Sequence, residues 1–316
     1  MERLSNKVMF SNVERNKTAS RVCHELFPGK GGLPVHGDLQ RIIVALSEHP
    51  DFKPKAKAVG DWWLWAKDLV IDNTFPKAHR KKVLDLAIES VQIGRPIHFV
   101  SARSPELLHA QVPNQGDPTL PRSRKAIATL AEIITKSEEF LPTKLTIALA
   151  DLAIDNLEKI KQVCNPEETV LENIRQIEEM CKEARIANFE VARLSALEHP
   201  SGRLKDMVDP SGAIKVPVTL SSKAIELIRV ATNESSQSHK RMFGWTEEQS
   251  SEHNRNLGIT MGLVGQSIKQ LTPPAILIHN ESFISRGALN NLFTDEKNPL
   301  PVFCLRTLLE TKKAKF

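Results

Sequence analysis

The sequence predicts an α/β fold built on a Rossmann-like parallel sheet with helices on both faces and an N-terminal helical extension. Three observations predict it. Short, nearly continuous apolar runs recur after residue 95, each bounded by turn residues. Such runs mark strands buried on both faces, the habit of parallel sheets. Amphipathic helical segments alternate with them, which argues for βαβ units. The first 92 residues, by contrast, read as helical or irregular, with no strand pattern.

In chain order, residues 1–35 look irregular or lightly helical and end in the breaker run PGKGGLP at 28–34. Residues 37–49 have apolar spacing suited to a helix, and 51–57 read as a charged, Pro-containing loop. Residues 58–73 continue as an amphipathic helix with Trp62, Trp63 and Trp65. Residues 77–92 form another helix, closed by Gly94. The first strand is expected at 96–101 and a Pro- and Gly-rich loop at 111–122. A helix follows at 123–139, with Ser123 as its N-cap. The second strand is expected at 144–150, a long charged helix at 167–186 and a third strand at 189–194. Helices are expected at 222–239 and 246–271. Pro273-Pro274 then introduces a fourth strand at 275–279, and Val302–Leu305 reads as a last short one. The division expected is a helical extension over 1–92 and a Rossmann-like domain over 93–316.

Composition narrows the function. With 316 residues and 41% apolar residues, the chain can bury a sizeable core. No apolar run reaches the length of a membrane helix. The first residues are charged throughout and lack the apolar stretch of a secretory signal. A cytoplasmic protein with no membrane partner is the expectation. Four scattered cysteines, without CxxC spacing, suit reduced thiols better than a disulfide framework or a zinc site, so no metal is expected. There is no tyrosine, which removes one common general acid.

The net charge is +5, and the excess is local. Between residues 53 and 82 lie eight cations (Lys53, Lys55, Lys57, Lys67, Lys77, Arg80, Lys81 and Lys82) against three Asp. A basic stripe is the footprint of a polyanion partner or a solvated surface. Three nearby tryptophans are a stacking platform for bases or a core anchor.

Absent motifs exclude several chemistries. No GxGxxG follows a strand, and there is no P-loop, GxSxG elbow or HExxH. No cofactor is expected. In open parallel sheets, ligands sit outside the carboxyl ends of the strands. Those positions hold Ser101, Arg103, Ser104, Glu106 and His109; Asp151, Asp155 and Asn156; Ser195, Glu198 and His199; and His279, Asn280, Glu281, Ser282, Ser285 and Arg286. Ser101 or Ser104 suits a nucleophile or an anion anchor, although Ser104-Pro105-Glu106 also reads as an ordinary helix start. Asp151 suits a ribose hydroxyl. Glu281 suits holding or deprotonating an amine, and Arg286 suits a carboxylate or phosphate. A salt bridge between Glu281 and Arg286 is the competing reading. His279 and Asn280 belong to the same substrate-binding group.

Three segments, FVSARSPE (99–106), TIALAD (146–151) and QLTPPAILIHNES (270–282), resemble tRNA-dependent cyclodipeptide synthases. That family has a Rossmann-like domain similar to class I aminoacyl-tRNA synthetases. The resemblance implies that Ser101 or Ser104 takes an aminoacyl group, that Glu281 holds its amino group, and that the basic helices carry aminoacyl-tRNA. The family's Ser-Pro-x-Asn-Ser pattern is not reproduced, its catalytic tyrosine has no counterpart, and residues 1–90 are extra. GRPIHFVSARSP (94–105) is also similar to isonitrile synthases, which share a Gly-x-Pro-Ile lead into a strand, but the lysine-containing segment that follows there is missing. The function expected is aminoacyl or acyl transfer on an amino-acid-derived substrate, tRNA-dependent in the first family. The alternatives are an isonitrile-synthase-like biosynthetic enzyme acting on a small amino-acid substrate, and a non-enzymatic RNA-binding module.

Overall fold

A computed structural model describes residues 12–29, 33–70, 76–103, 120–149, 166–196, 198–199, 202–203, 240, 244–252, 275–279 and 302–304. The predicted helix at 222–239, and residues 253–271 of the one predicted at 246–271, lie outside the described residues; 247–252 are helical.

Four helices come first: α1 (Asn12–Leu26), α2 (Leu33–Leu46), α3 (Phe52–Ala66) and α4 (Pro76–Gln92). Three depart from the sequence reading. α1 is a full helix where irregular or lightly helical chain was expected. α2 begins at Leu33, inside the run at 28–34 read as a breaker. α3 begins at Phe52, so the expected loop at 51–57 is helical. Pro54 misled that reading. In the first turn of a helix its missing N–H would have no intrahelical partner anyway, so the helix tolerates it.

The sheet follows. Strand β1 (Ile97–Arg103) leads through α5 (Pro121–Glu138) to β2 (Thr143–Leu149). Helix α6 (Pro166–Glu183) leads on to β3 (Phe189–Arg193). A short 3-10 turn (Leu194–Ala196) and a small antiparallel pair, β4 (Glu198–His199) with β5 (Gly202–Arg203), come next. β6 (Ala275–His279) and β7 (Val302–Cys304) complete a five-stranded sheet in the order β3-β2-β1-β6-β7. Every pairing within it is parallel. Counted along the chain, this is the order 3-2-1-4-5 of doubly wound Rossmann sheets. The α/β, Rossmann-like prediction holds, and all four principal strands fall where expected within a residue or two.

Alternation along the strands sorts the two faces. Ile97, Phe99, Ser101 and Arg103 share one face with Leu145, Ile147, Ile276 and Ile278, by the register of the pairs. The apolar members of that face belong to one core cluster with Ile127, Leu130, Ile133 and Ile134 of α5 and Ile177, Met180 and Cys181 of α6. The same cluster continues into the N-terminal helices through Trp62, Trp63, Leu84 and Ala87, so the core is continuous across residues 92 and 93. The opposite face is also buried, at Val100, Thr146, Ala148, Ala275 and Leu277. There, His98 Nε2 and Thr146 Oγ1 are 2.8 Å apart in a buried pair.

The predicted N-cap of α5 is corrected. The helix starts two residues before Ser123, with Pro121 in its first turn and Leu120 at the cap position in a left-handed conformation, φ 47°. Proline is pre-shaped for that first turn, and Ser123 is buried inside it.

Candidate functional site

The chain leaves β1 toward β2 and β3, and later returns to the other side of β1 as β6 and β7. The order therefore reverses between β1 and β6. In open α/β sheets, the connections diverge at such a point and leave a crevice at the carboxyl edge, where ligands bind. Because β1 and β6 are parallel, their carboxyl ends share that edge, and Ser101 is paired directly with Ile278.

Ser101 is 2% exposed and lies two residues before the end of β1. The strand runs on to Arg103, past the expected end at 101, with Ala102 and Arg103 half-buried. The polar texture of Ser-Ala-Arg hid this extension. Ser104 comes immediately after the strand, and it lies outside the described residues with Asp151, Asn280, Glu281 and Arg286. His279 is the last residue of β6. By alternation its position falls on the face opposite Ser101, next to Ala102 in β1. Glu281 follows two positions later in the sequence. Ser195 sits in the 3-10 turn after β3, and Glu198 and His199 form β4.

At the end of β3, Arg193 donates from both terminal nitrogens to the two carboxylate oxygens of Glu167, at 2.8 and 2.6 Å. These bonds hold the Glu167 carboxyl below its ordinary range. Sequence reasoning missed this pair. Its only signal was an arginine at a strand end and an acid at a helix start, 26 residues apart.

The basic stripe resolves differently. Lys53 pairs with Glu25 at 2.7 Å, Lys57 with Asp61, and Lys67 with Asp68 at 2.9 Å. Lys55 Nζ lies 2.8 Å from His49 Nε2. Lys57 also sits 5.4 Å above the Phe27 ring. Arg80 and Lys81 on α4 are exposed and Lys82 is half-buried; Lys77 is the second residue of the same helix. Trp62 and Trp63 are completely buried. Trp62 donates its indole N–H to Ser137 Oγ at 2.9 Å, and Trp63 donates to Asp38 at 2.9 Å. Two of the three tryptophans are core anchors, and no stacking platform is built from them.

Among the described residues no group of three or more His, Cys, Asp or Glu is arranged to hold a metal, and no helix is long and apolar enough to cross a membrane. Cys23 and Cys181 are buried thiols. Burial, followed by the nearby Glu178 charge, pushes Cys181 up to about 12.

No family model matches the chain, and no curated protein matches it. Two solved structures are similar in outline. One is the PvcA protein from Pseudomonas aeruginosa, 12% identical, with 71% of this chain and 78% of that one covered and a TM-score of 0.44. The other is a tryptophanyl-tRNA synthetase homolog from Entamoeba histolytica, 10% identical, with 94% of this chain and 64% of that one covered and a TM-score of 0.35. Neither likeness is close enough to assign this chain a reaction.

Proposed function

We propose that the chain is an enzyme that transfers an acyl or aminoacyl group of an amino-acid-derived substrate at the carboxyl edge of β1 and β6. One observation carries this reading. The strand order reverses between β1 and β6, the two strands that lead directly into Ser104 and into Asn280-Glu281. Ser101 is buried within the sheet, which favours Ser104 as the acceptor and gives Ser101 a part in the floor of the crevice. In the proposed step, Ser104 Oγ attacks the activated carbonyl, a serine ester forms, the bond to the carrier breaks, and the hydroxyl proton passes to the leaving oxygen. Glu281 orients or deprotonates the substrate amine. Arg286 holds an anionic group, and Asp151, Asn280 and His279 complete the surroundings.

The carrier separates two versions. An aminoacyl-tRNA carrier is supported by the exposed cations at the start of α4. A small-molecule carrier, as in an isonitrile-synthase-like enzyme, is supported by the ion-paired lysines and buried tryptophans of α3. Intact-mass measurement after incubation with aminoacyl-tRNAs tests the reading. The expected result is an aminoacyl adduct, mapped to residues 99–106 and lost in Ser104→Ala. An adduct that survives in both Ser104→Ala and Ser101→Ala would remove the serine-ester step. RNA binding that weakens steeply with salt would support the tRNA carrier.

A further inference from the structure

We propose that Cys304 is a second nucleophile of the chain, with His279 as its base, and that it takes an acyl group from an activated ester or thioester. The two residues end neighbouring parallel strands, His279 closing β6 and Cys304 closing β7, and the register pairs them directly. Register partners share a face of the sheet. This is the face of Val100 and Thr146, opposite Ser101, so the pair stands apart from the serine step proposed above. Both carboxyl ends also lie at the edge where open parallel sheets receive ligands. The rest of that row is small. Across from His279 it continues through Ala102, Ala148 and Ala192, while the larger Leu277, Val100 and Thr146 lie one row deeper. The sheet thus places its two reactive residues at the end of a row that carries little other bulk.

A cysteine becomes a nucleophile when a neighbouring base takes its proton, because the thiolate, not the thiol, attacks. Neighbouring strands lie about 4.8 Å apart, close enough for a proton to pass between register partners such as His279 and Cys304. In the step inferred, His279 takes the proton of Cys304 Sγ and the thiolate attacks the acyl carbonyl carbon. A C–S bond forms, the bond from that carbon to the donor's oxygen or sulfur breaks, and His279 returns the proton to the leaving atom. The thioester keeps the acyl group activated for an amine.

Cys23 shows the same two groups put to a different use. Its Sγ lies 3.5 Å from His36 Nδ1, but it is 1% exposed within the helical core, and burial pushes its thiol up. Cys181 is likewise buried and raised. Thiols raised by apolar surroundings are inert. Both lie in helices rather than at a strand end, so they serve as internal controls for Cys304.

The test is alkylation of the native protein by iodoacetamide at neutral pH, with the labelled residues located by peptide mapping. Cys304 should react faster than the thiol of free glutathione, while Cys23 and Cys181 stay unlabelled until the protein unfolds. His279→Ala should slow Cys304 about tenfold or more. Added imidazole should restore part of that rate, which a merely structural role for His279 would not allow. S-acetyl-N-acetylcysteamine should leave an acetyl group on Cys304 that neutral hydroxylamine removes, whereas an ester on Ser104 would withstand it. A wild-type Cys304 no faster than glutathione, a measurement that needs no variant to fold, would overturn the nucleophile. An unchanged rate in His279→Ala would overturn the base, and absence of the acetyl thioester would overturn the acyl step. Labelling of Cys304 without any serine adduct would fault the serine step alone.

Discussion

Helix α3 and the end of strand β1 contrast in how their chemistry is assembled. α3 concentrates three lysines and three tryptophans within 13 residues, and in sequence it reads as a nucleic-acid surface or as a solvated face over a core anchor. The helical turn disperses four of them. Trp62 and Trp63 go inward to Ser137 and Asp38, while Lys53 and Lys57 go outward to Glu25 and Asp61. The end of β1 is inconspicuous in sequence, yet the parallel sheet sets it beside β6, which starts 172 residues later, at the switch point. The cluster along the chain is thus dispersed by the fold, whereas the ends of β1 and β6 converge.

The largest effect that sharpens this contrast is on stability. Trp62→Ala should cost about 3–5 kcal/mol in denaturant unfolding, the range for deleting a buried aromatic, with no specific change in ligand binding by the folded fraction. A small stability loss with a large binding loss would return α3 to the functional side. Gly60→Ala comes next. A Cβ at Gly60 would lie 2.2 Å from Phe27 Cζ. That ring must move for the helices to stay packed, so about 1–3 kcal/mol should be lost, the cost of overpacking. An unchanged midpoint would mean that Phe27 does not pack against Gly60 of α3.

Cys181 tests burial beneath the sheet. Its thiol is raised in the folded state, so the folded protein holds this proton more tightly. Its stabilising contribution is complete below the ordinary value of 9.0 and is lost as pH rises toward about 12. Unfolding free energy should fall over that window, and the slope should flatten in Cys181→Ala. The same slope in both proteins would contradict the burial. The smallest effect belongs to Lys53→Ala. Exposed pairs such as Lys53–Glu25 are worth about 0–1 kcal/mol, so stability should barely change. A strong effect on salt-dependent RNA binding would show that the pair opens for phosphate.

The sheet was legible because buried parallel strands announce themselves as apolar runs. β6 was read to the residue from AILIH after two prolines. The end of β1 was misjudged because its last residues, Ser101, Ala102 and Arg103, break the apolar run. α1 was read only as irregular or lightly helical because it is strongly polar, and the start of α3 was missed because Pro54 looks like a breaker. The location of the proposed site was read as a set of strand ends. The strand order that selects β1 and β6 from the set was not, because order is decided by crossover connections rather than by any local pattern.

Hydrogen exchange with and without bound aminoacyl-tRNA tests the central claim most directly. The account predicts new protection in two segments distant in sequence, 99–106 and 275–286, with the amides of α3 unchanged. Protection confined to α3 and α4, with both strand ends unaffected, would contradict it.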